Sequence, residues 1–220
     1  MEAEKNIREI IKTIEYISGT YSPYQVFYDW VHIMALGIQN NISMIHDKLW
    51  QEREKEYMEL MKKYGEKERK EIVKMFSLLV MAMEYRLSDY LGEVYMKSGC
   101  GNKNTGQFFT PYHLSKATAN AGIPKEINGT LKINEPSTGG GGMIIAAADI
   151  LKERGVNYQR KMQVVAQDLD WLAVYMSYVQ FSIIGIDAIV VQGNTLIEPY
   201  AEGYDRKRTF RTPVNMGVII

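Results

Sequence analysis

The sequence contains very little cysteine and histidine. Cys100 is its single cysteine, so one chain cannot build an internal disulfide or a zinc site made of several cysteines. His32, His46 and His113 stand far apart and lack metal-ligand spacing. We therefore assign no metal, and we expect a protein of the reducing cytoplasm.

Long apolar stretches and an excess of one charge are also missing. No segment reaches the roughly 18 apolar residues that cross a bilayer, and the N-terminus is charged where a signal peptide would be apolar. These features predict neither secretion nor membrane insertion. The 26 basic and 26 acidic residues give a formal net charge of zero. We therefore expect any nucleic-acid contact to be local, weak or shared with a partner.

The first hundred residues have the apolar spacing of helices. Apolar residues recur every three or four positions in residues 2–17, 24–40 and about 67–97, which predicts a helix in each segment. Residues 45–64 are strongly charged. Because acids and bases are interleaved there, they indicate a solvated helix face more than a DNA-contacting helix.

Residues 99–106, rich in glycine and asparagine, predict a linker. It separates a helical N-terminal domain, residues 1–98, from a second domain, residues 107–220. In the second domain apolar runs alternate with helical stretches, and this order predicts an α/β domain with a parallel sheet. The predicted strands are residues 131–134, 162–166 and 188–192, and the predicted helices are residues 112–121, 142–154 and about 170–183.

In such a sheet, ligands bind beyond the carboxyl ends of the strands. The first strand leads through residues 135–141, which include consecutive glycines, into a helix. Glycines let the backbone approach a ligand, and free amides at the helix start can hold a carboxylate or phosphate. The run lacks the Gly-Lys-Ser/Thr ending of a nucleoside-triphosphate loop, and Ile144 breaks the dinucleotide pattern. A tight turn without a ligand is the alternative.

Polar residues follow the other two strands as well. Asp168 is placed to accept hydrogen bonds from ribose hydroxyls, whereas Asp170 can instead cap the next helix. Asn194 can reach an adenine edge or serve as a turn asparagine. Upstream, the aromatic pair that ends at Phe109 can pack on a ligand while the Thr110 hydroxyl bonds a carboxylate. Alternatively, Thr110 and the proline after it simply open a helix.

These segments together resemble one family. Four motifs in this order are similar to the adenine-N6 DNA methyltransferases of the type I restriction modification-subunit class. The likeness covers about residues 85–196 and includes the helix at residues 89–95. The motifs are Gly-Gln-Phe-Phe-Thr-Pro at residues 106–111, Glu-Pro-Ser-Thr-Gly-Gly-Gly-Gly-Met at 135–143, Gln-Asp-Leu-Asp at 167–170 and Gly-Asn-Thr-Leu at 193–196.

The resemblance implies a Rossmann-like methyltransferase fold that binds S-adenosylmethionine. Asp168 would hold the ribose, with Leu169 beside it, and Asn194 would take the adenine-edge position, which is normally an aspartate. Phe109 and Thr110 would lie by the methionine part of the cofactor. The loop around its amino-acid end would comprise Glu135, Pro136, Ser137, Thr138, Gly139 and Gly141.

One motif of the family is missing. Adenine-N6 transfer in the family uses Asn/Asp/Ser-Pro-Pro-Tyr/Phe after a fourth strand, where a polar side chain and a proline carbonyl accept bonds from the target amine. This chain has no Pro-Pro pair. Glu198-Pro199-Tyr200 is a superficial echo that follows the third strand too closely for another strand to lie between them.

The end of the sequence predicts an abbreviated sheet. Residues 214–220 are apolar and are expected to form its last strand. The basic residues at 206–211 indicate a solvated loop, with a phosphate contact as the alternative.

The leading hypothesis is an S-adenosylmethionine-binding protein of the adenine-N6 DNA methyltransferase family, in DNA methylation or restriction-modification, with catalysis either lost or completed elsewhere. DNA contact would be weak or shared with a partner subunit, and a homo-oligomer is also compatible. The alternatives are a non-catalytic regulatory or partner subunit of a DNA-modification complex and a small-molecule methyltransferase. In an active member, the adenine amine would attack the sulfonium methyl directly.

Overall fold

The computed structural model of the protein describes residues 2–100, 109–201 and 203–218. Most of the predicted linker, residues 99–106, lies outside these residues. The same holds for the next two residues, so the first motif is described from Phe109 onward. Among the described residues, no helix combines the length and the apolar character needed to cross a membrane.

The described chain forms two compact units. The helical unit holds residues 2–86 and 90–100, and the sheet unit holds residues 87–89 and those from 109 onward. The short segment 87–89 thus groups with the sheet, although the chain on both sides of it belongs to the helical unit. This segment contributes the buried Asp89 to the sheet unit.

The helical unit follows the apolar spacing of its sequence. Isoleucines at three- and four-residue steps along the first helix, including Ile7, Ile10 and Ile14, are buried. This helix packs on the fourth, and the second packs on the third. The helices are α1 Glu2–Ile17, α2 Pro23–Ile42, α3 Lys48–Lys62, α4 Glu66–Tyr85 and α5 Tyr90–Lys97.

The prediction of one continuous helix from about residue 67 to residue 97 is wrong. The helix ends at Tyr85, and the backbone of Arg86 is extended, with φ −158° and ψ 140°. A second helix then begins at Tyr90. Apolar spacing cannot reveal this break, because Leu87 and Tyr90 are buried and keep the helical interval across it.

The sheet unit has a mixed α/β architecture, as the sequence predicts. Its strand order is β1-β2-β3-β4; β1, β2 and β3 are parallel, and β4 is antiparallel to β3. The strands are β1 Leu131–Glu135, β2 Met162–Asp168, β3 Asp187–Gln192 and β4 Thr209–Arg211. The helices are α6 Tyr112–Gly122, α7 Gly142–Glu153, α8 Tyr158–Lys161 and α9 Trp171–Ile183, with 3₁₀ turns at Arg206–Arg208 and Val214–Met216.

The prediction of a last strand at residues 214–220 is wrong for the part that the structure describes. Residues 214–216 form a 3₁₀ turn, and the fourth strand lies at Thr209–Arg211. Phe210 fixes that strand, because its buried ring packs against Tyr175 and Tyr178 of α9. Basic neighbours hide this short strand in the sequence.

The parallel register brings the carboxyl ends of the first three strands to one edge. Glu135 at the end of β1 pairs with Ala166, and Asp168 at the end of β2 pairs with Gln192 at the end of β3. Helix α9 packs on β2 and β3. The segments that follow the three strands therefore meet at a common edge, where ligands of such sheets bind.

Candidate functional site

The glycine loop, residues 135–141, leads from the end of β1 into α7. Glu135 is half-buried, and its Oε1 accepts a 3.2 Å hydrogen bond from the Ser137 amide. Pro136 and Ser137 are exposed, whereas Thr138 is buried. The Thr138 Oγ1 has no hydrogen-bond partner among the described residues. Because buried hydroxyls are nearly always bonded, this group has capacity left for a ligand.

Two amides of the glycine loop bond the end of β2. The Thr138 amide donates to the Gln167 carbonyl oxygen at 3.0 Å, and the Gly139 amide donates to Asp168 Oδ2 at 2.9 Å. Asp168 Oδ1 accepts a 3.0 Å bond from the Asp170 amide. One carboxylate therefore fixes both the glycine loop and the turn into α9.

The loop is less open to an anion than its sequence suggests. Most of its amides are already bonded, whereas the expectation of free amides concerned the start of the following helix, α7, which begins at Gly142, and there it stays a prediction. The amides that donate to acceptors within the sheet unit are those of Ser137, Thr138, Gly139 and Gly141.

Close neighbours explain why glycine is needed in this loop. A Cβ on Gly139 would lie 3.1 Å from Cδ1 of Phe109, so the structure places this predicted site residue against the loop. Gly141 has φ +93°, and a Cβ there would lie 2.6 Å from the Phe181 ring. The glycines therefore serve the packing of the loop, whether or not a ligand also approaches it.

Asp89 is one of the residues at this site that reasoning from the sequence missed. It is buried beside the glycine loop, and a Cβ on Gly140 would lie 3.0 Å from its Oδ1. The Gln180 Nε2 donates to Asp89 Oδ1 at 2.9 Å and to the Gly140 carbonyl oxygen at 2.7 Å. A Cβ on Gly142, at the start of α7, would lie 3.3 Å from Asp89 Oδ2. In the sequence, the one indication of a role for Asp89 was that it lies in the segment that resembles the family.

The remaining predicted residues lie at the same edge with local roles. Asp170 caps α9, because its Oδ1 accepts a 2.8 Å bond from the Leu172 amide, so that interpretation is confirmed. Asn194 Oδ1 accepts a 3.0 Å bond from the Leu196 amide, which is the role of a turn asparagine. Leu169 is 64% exposed. An adenine contact by Asn194 stays a prediction.

Thr110 is exposed and stands before the proline that precedes α6. The helix opens at Tyr112, directly after Pro111, and has no side-chain cap bond. The opening of a helix by this dipeptide is confirmed. A bond from the Thr110 hydroxyl to a ligand carboxylate stays a prediction.

A family model described as N-6 DNA methylase matches residues 86–214, which is more than half of the chain. The chain belongs to the N-6 DNA methylase family. The matched region contains Asp89, the glycine loop, Asp168 and Asn194, so it spans the whole site described above. A comparison with curated proteins found no match.

In this member of the family, Gln167 anchors the segment that echoes the missing motif. Its side chain is buried; Nε2 donates to the Glu198 carbonyl oxygen at 3.0 Å, and Oε1 accepts a 3.2 Å bond from the Tyr200 amide. Residues 198–200 follow β3 without an intervening strand, as the sequence predicts. Their backbone is thus bound to the end of β2 and does not extend a strand.

Arg206, Lys207 and Arg211 are exposed, as the prediction of a solvated basic loop expects, whereas Arg208 is partly buried and bonded within the sheet unit. Its guanidinium bonds both oxygens of the Glu198 carboxylate, and its Nε donates to the main-chain and side-chain oxygens of Gln192 at 2.9 Å. It also lies 5.0 Å from the ring centre of Tyr204. Because Arg208 bonds both Gln192 at the end of β3 and Glu198 beyond it, it holds the segment after β3 in place.

The acids at the strand ends repel each other. Burial raises the pKa of Glu135, the Ser137 amide opposes that shift, and the charge of Asp168 adds to it. A raised pKa means that the folded site disfavours a second negative charge at this position. The strand ends at this site are therefore acidic, and the Ser137 amide is the group that opposes the rise in the pKa of Glu135.

Proposed function

We propose that the sheet unit binds S-adenosylmethionine beyond the carboxyl ends of β1, β2 and β3, and that it serves the methylation of adenine N6 in DNA. The observation that carries the proposal is the carboxylate of Asp168. It holds Gly139 of the glycine loop and the turn at Asp170 in one arrangement. An acid after the second strand and a glycine loop after the first form the usual nucleoside-binding arrangement of a parallel α/β sheet.

Asp168 retains the capacity to bind a ribose. A carboxylate offers about four acceptor positions, and two of those at Asp168 are used by backbone amides. Leu169, next in sequence and exposed, offers an apolar surface beside the ribose for the adenine ring. Asn194 would lie at the edge of that ring.

The methionine part of the cofactor would lie along the glycine loop. Phe109 lies close to this loop at Gly139, and Thr110 is the next residue in the sequence and is exposed. The unpartnered Thr138 hydroxyl supplies a further polar group. The loop residues proposed to surround the amino-acid end are Glu135, Pro136, Ser137, Thr138, Gly139 and Gly141.

The fold supports a Rossmann-like interpretation. The succession β1-α7-β2-α9-β3, with its parallel strands in that spatial order, corresponds to one half of a doubly wound sheet. In such sheets the ligand crevice lies beside the first strand. Among the described strands, β1 pairs on one side alone.

The acceptors for the adenine amine would come from outside this chain. The sequence has no Pro-Pro pair, and the Gln167 side chain holds the backbone of Glu198 and Tyr200 in a loop against the end of β2. The open edge of β1 can receive a strand from a partner subunit. In this proposal the cofactor supplies the methyl group, this chain orients it, and the partner shares the contact with DNA.

Calorimetric titration tests cofactor binding. S-adenosylmethionine is titrated into the unmodified protein, Asp168→Ala and Asp187→Ala. We expect binding to weaken by about tenfold or more in Asp168→Ala, because the ribose acceptor and the loop anchor are both lost. Asp187 begins β3 at the opposite end of the sheet and serves as the matched control, with unchanged affinity. Absence of binding by the unmodified protein would contradict the proposal.

Methyl transfer separates binding from catalysis. The protein is incubated with duplex DNA and cofactor labelled in the methyl group. We expect no label in DNA with this chain alone, because it lacks the acceptor motif. Label incorporation by the purified chain would show that the amine acceptors lie within it.

A further inference from the structure

Helices α1 and α4 of the helical unit pack on each other and border a groove of about 470 Å³. This volume lies within the range of ligand sites in proteins. Four basic and two acidic side chains give its lining a formal charge of +2, although the whole chain is neutral. The lining of this lysine groove comprises Glu9, Lys12, Thr13 and Tyr16 of α1 and Lys67, Lys70, Glu71 and Lys74 of α4.

The acids around the lysine groove compensate two of its four lysines. Lys74 Nζ lies 3.4 Å from both Glu9 Oε1 and Glu71 Oε2, so the two acids of the groove share one lysine. Lys70 Nζ pairs at 2.8 Å with Glu66, which stands one helical turn before it. These side chains are largely exposed, and exposed ion pairs contribute little energy. A ligand anion can therefore replace the acids at modest cost.

Lys12 and Lys67 are the cations of the groove that no acid compensates. Both are exposed, and their side chains have no ion-pair or hydrogen-bond partner among the residues that the structure describes. Thr13 is only 6% exposed, and within the described part of the chain its hydroxyl has no partner either. Because buried hydroxyls are nearly always bonded, this group has capacity left for a ligand. The groove thus offers two free cations and a free hydroxyl.

The donors of the groove are those that bind phosphate. Tyr16 adds a side chain that is 69% exposed and carries a further hydroxyl. Proteins bind the phosphate oxygens of DNA with lysine, threonine and tyrosine side chains, among others. The lysines of α4 recur at three- and four-residue steps from Lys67 to Lys74, so they share one face and extend over about 10 Å of the helix. An extended row of cations suits successive phosphates of a strand better than one compact anion.

We propose that the lysine groove binds the phosphate backbone of duplex DNA without regard to base sequence. The choice of DNA among phosphate-bearing ligands rests on the proposed function, whereas the free cations and the free Thr13 hydroxyl are features of the helical unit itself. The contact is local, because the neutral chain has no overall positive field to hold DNA elsewhere. Phosphate contacts of this kind position a protein on DNA and leave the reading of bases to other groups.

Fluorescence anisotropy with a short labelled duplex, without cofactor and at several salt concentrations, tests the groove. We expect the double variant Lys12→Gln/Lys67→Gln to weaken binding about tenfold at low salt. The slope of log affinity against log salt concentration should fall by about 1 for each lysine removed. Both side chains are exposed and unpaired within the described chain, so circular dichroism should show an unchanged fold.

Lys48→Gln/Lys55→Gln is the matched control, because it removes the same charge from exposed lysines of α3 that do not line the groove. We expect it to change the affinity by less than about twofold. Thr13→Val keeps the size of the side chain and removes the hydroxyl, and it should weaken binding about threefold without lowering thermal stability. Equal losses in the two double variants, or no loss in either, overturn the inference.

Competition and cofactor titration separate the possible failures. ATP and inorganic phosphate should displace the duplex only weakly; displacement by ATP at the concentration at which the duplex itself binds would overturn the assignment to a DNA backbone. Lys12→Gln/Lys67→Gln should bind S-adenosylmethionine as tightly as the unmodified protein does. Cofactor binding without duplex binding overturns the inference and leaves the cofactor proposal intact. Duplex binding through the groove without cofactor binding supports the inference and contradicts the proposed function.

Discussion

Asp29 in the helical unit is a buried carboxylate with several hydrogen-bond donors around it, whereas Glu135 in the sheet unit is a half-buried carboxylate with one. Asp29 is 1% exposed and accepts bonds from Lys63 Nζ at 3.1 Å, Tyr64 Oη at 3.0 Å and Gln25 Nε2 at 2.8 Å. Glu135 accepts from one amide and lies near another acid. A buried charge must be paired and hydrogen-bonded to be tolerated, and Asp29 meets that condition within the protein.

This difference separates a carboxylate that bonds several groups of the fold from one that bonds a single neighbouring amide. Asp29 joins α2 to the turn between α3 and α4, so its bonds hold helices together. Glu135 holds only the neighbouring loop amide, and its charge is opposed by Asp168.

The largest expected effect is the loss of stability when Asp29 is neutralised, compared with neutralisation of Glu135. We expect Asp29→Asn to lower the free energy of unfolding by about 3 kcal/mol, because it leaves Lys63 and Tyr64 without their charged acceptor. Glu135→Gln should change it by less than about 0.5 kcal/mol, because the lost charge was repelled by Asp168. Urea denaturation measures both. Equal losses in the two variants would contradict the distinction between the two acids.

The next effect concerns the packing of the glycine loop. Gly141 and Gly155 both have positive φ, at +93° and +73°, but a Cβ on Gly141 would meet the Phe181 ring, whereas Gly155 faces open space. We expect Gly155→Ala to cost about 1 kcal/mol from backbone strain, and Gly141→Ala about 2 to 3 kcal/mol from strain and overpacking together. Thermal and urea unfolding of the two variants give the difference. Similar costs would mean that the Phe181 ring moves aside without a further loss of stability.

The smallest effect is a pH dependence of the helical unit. Burial lowers the pKa of His32 to about 4, against an opposing contribution from Asp29 and a further lowering by Lys63. Below pH 6.5 the unfolded chain takes up this proton while the folded chain resists until about pH 4, so stability falls as the pH falls through that window. At pH 5 the loss should approach about 2 kcal/mol.

His32→Asn isolates this contribution. The variant should lose less stability than the unmodified protein between pH 7 and pH 5, as followed by urea denaturation at each pH. His113→Asn removes an exposed histidine and should keep the full pH dependence. Parallel curves for His32→Asn and the unmodified protein would exclude the buried histidine as the cause.

Local patterns predicted most of the elements correctly. The isoleucines of α1 repeat at helical intervals, and the apolar runs that became β1, β2 and β3 are short and separated by helical stretches. The break after Tyr85 was missed, because apolar spacing continues through it. The strand at Phe210 was missed as well, because its burial depends on the aromatic residues of α9.

The candidate site was predicted to the extent that it follows from topology. Residues after parallel strands must meet at one edge, and the structure brings the glycine loop to Asp168 through the Gly139 amide. Asp89 and Gln167 were missed as site residues. Asp89 bonds a residue 91 positions away, and no local pattern records such a contact.

The sequence by itself determined the parallel strands, the glycine loop between β1 and α7, and membership of the N-6 DNA methylase family. These features depend on short-range spacing and on motifs in a fixed order. The tertiary structure alone decided that Asp89 lies beside the loop, that Arg208 pairs with Glu198, and that the amides of Ser137, Thr138 and Gly139 donate to acceptors of the fold. The physical reason is that a polar group takes the partner that packing brings within about 3 Å, and segments far apart in the sequence supply that partner.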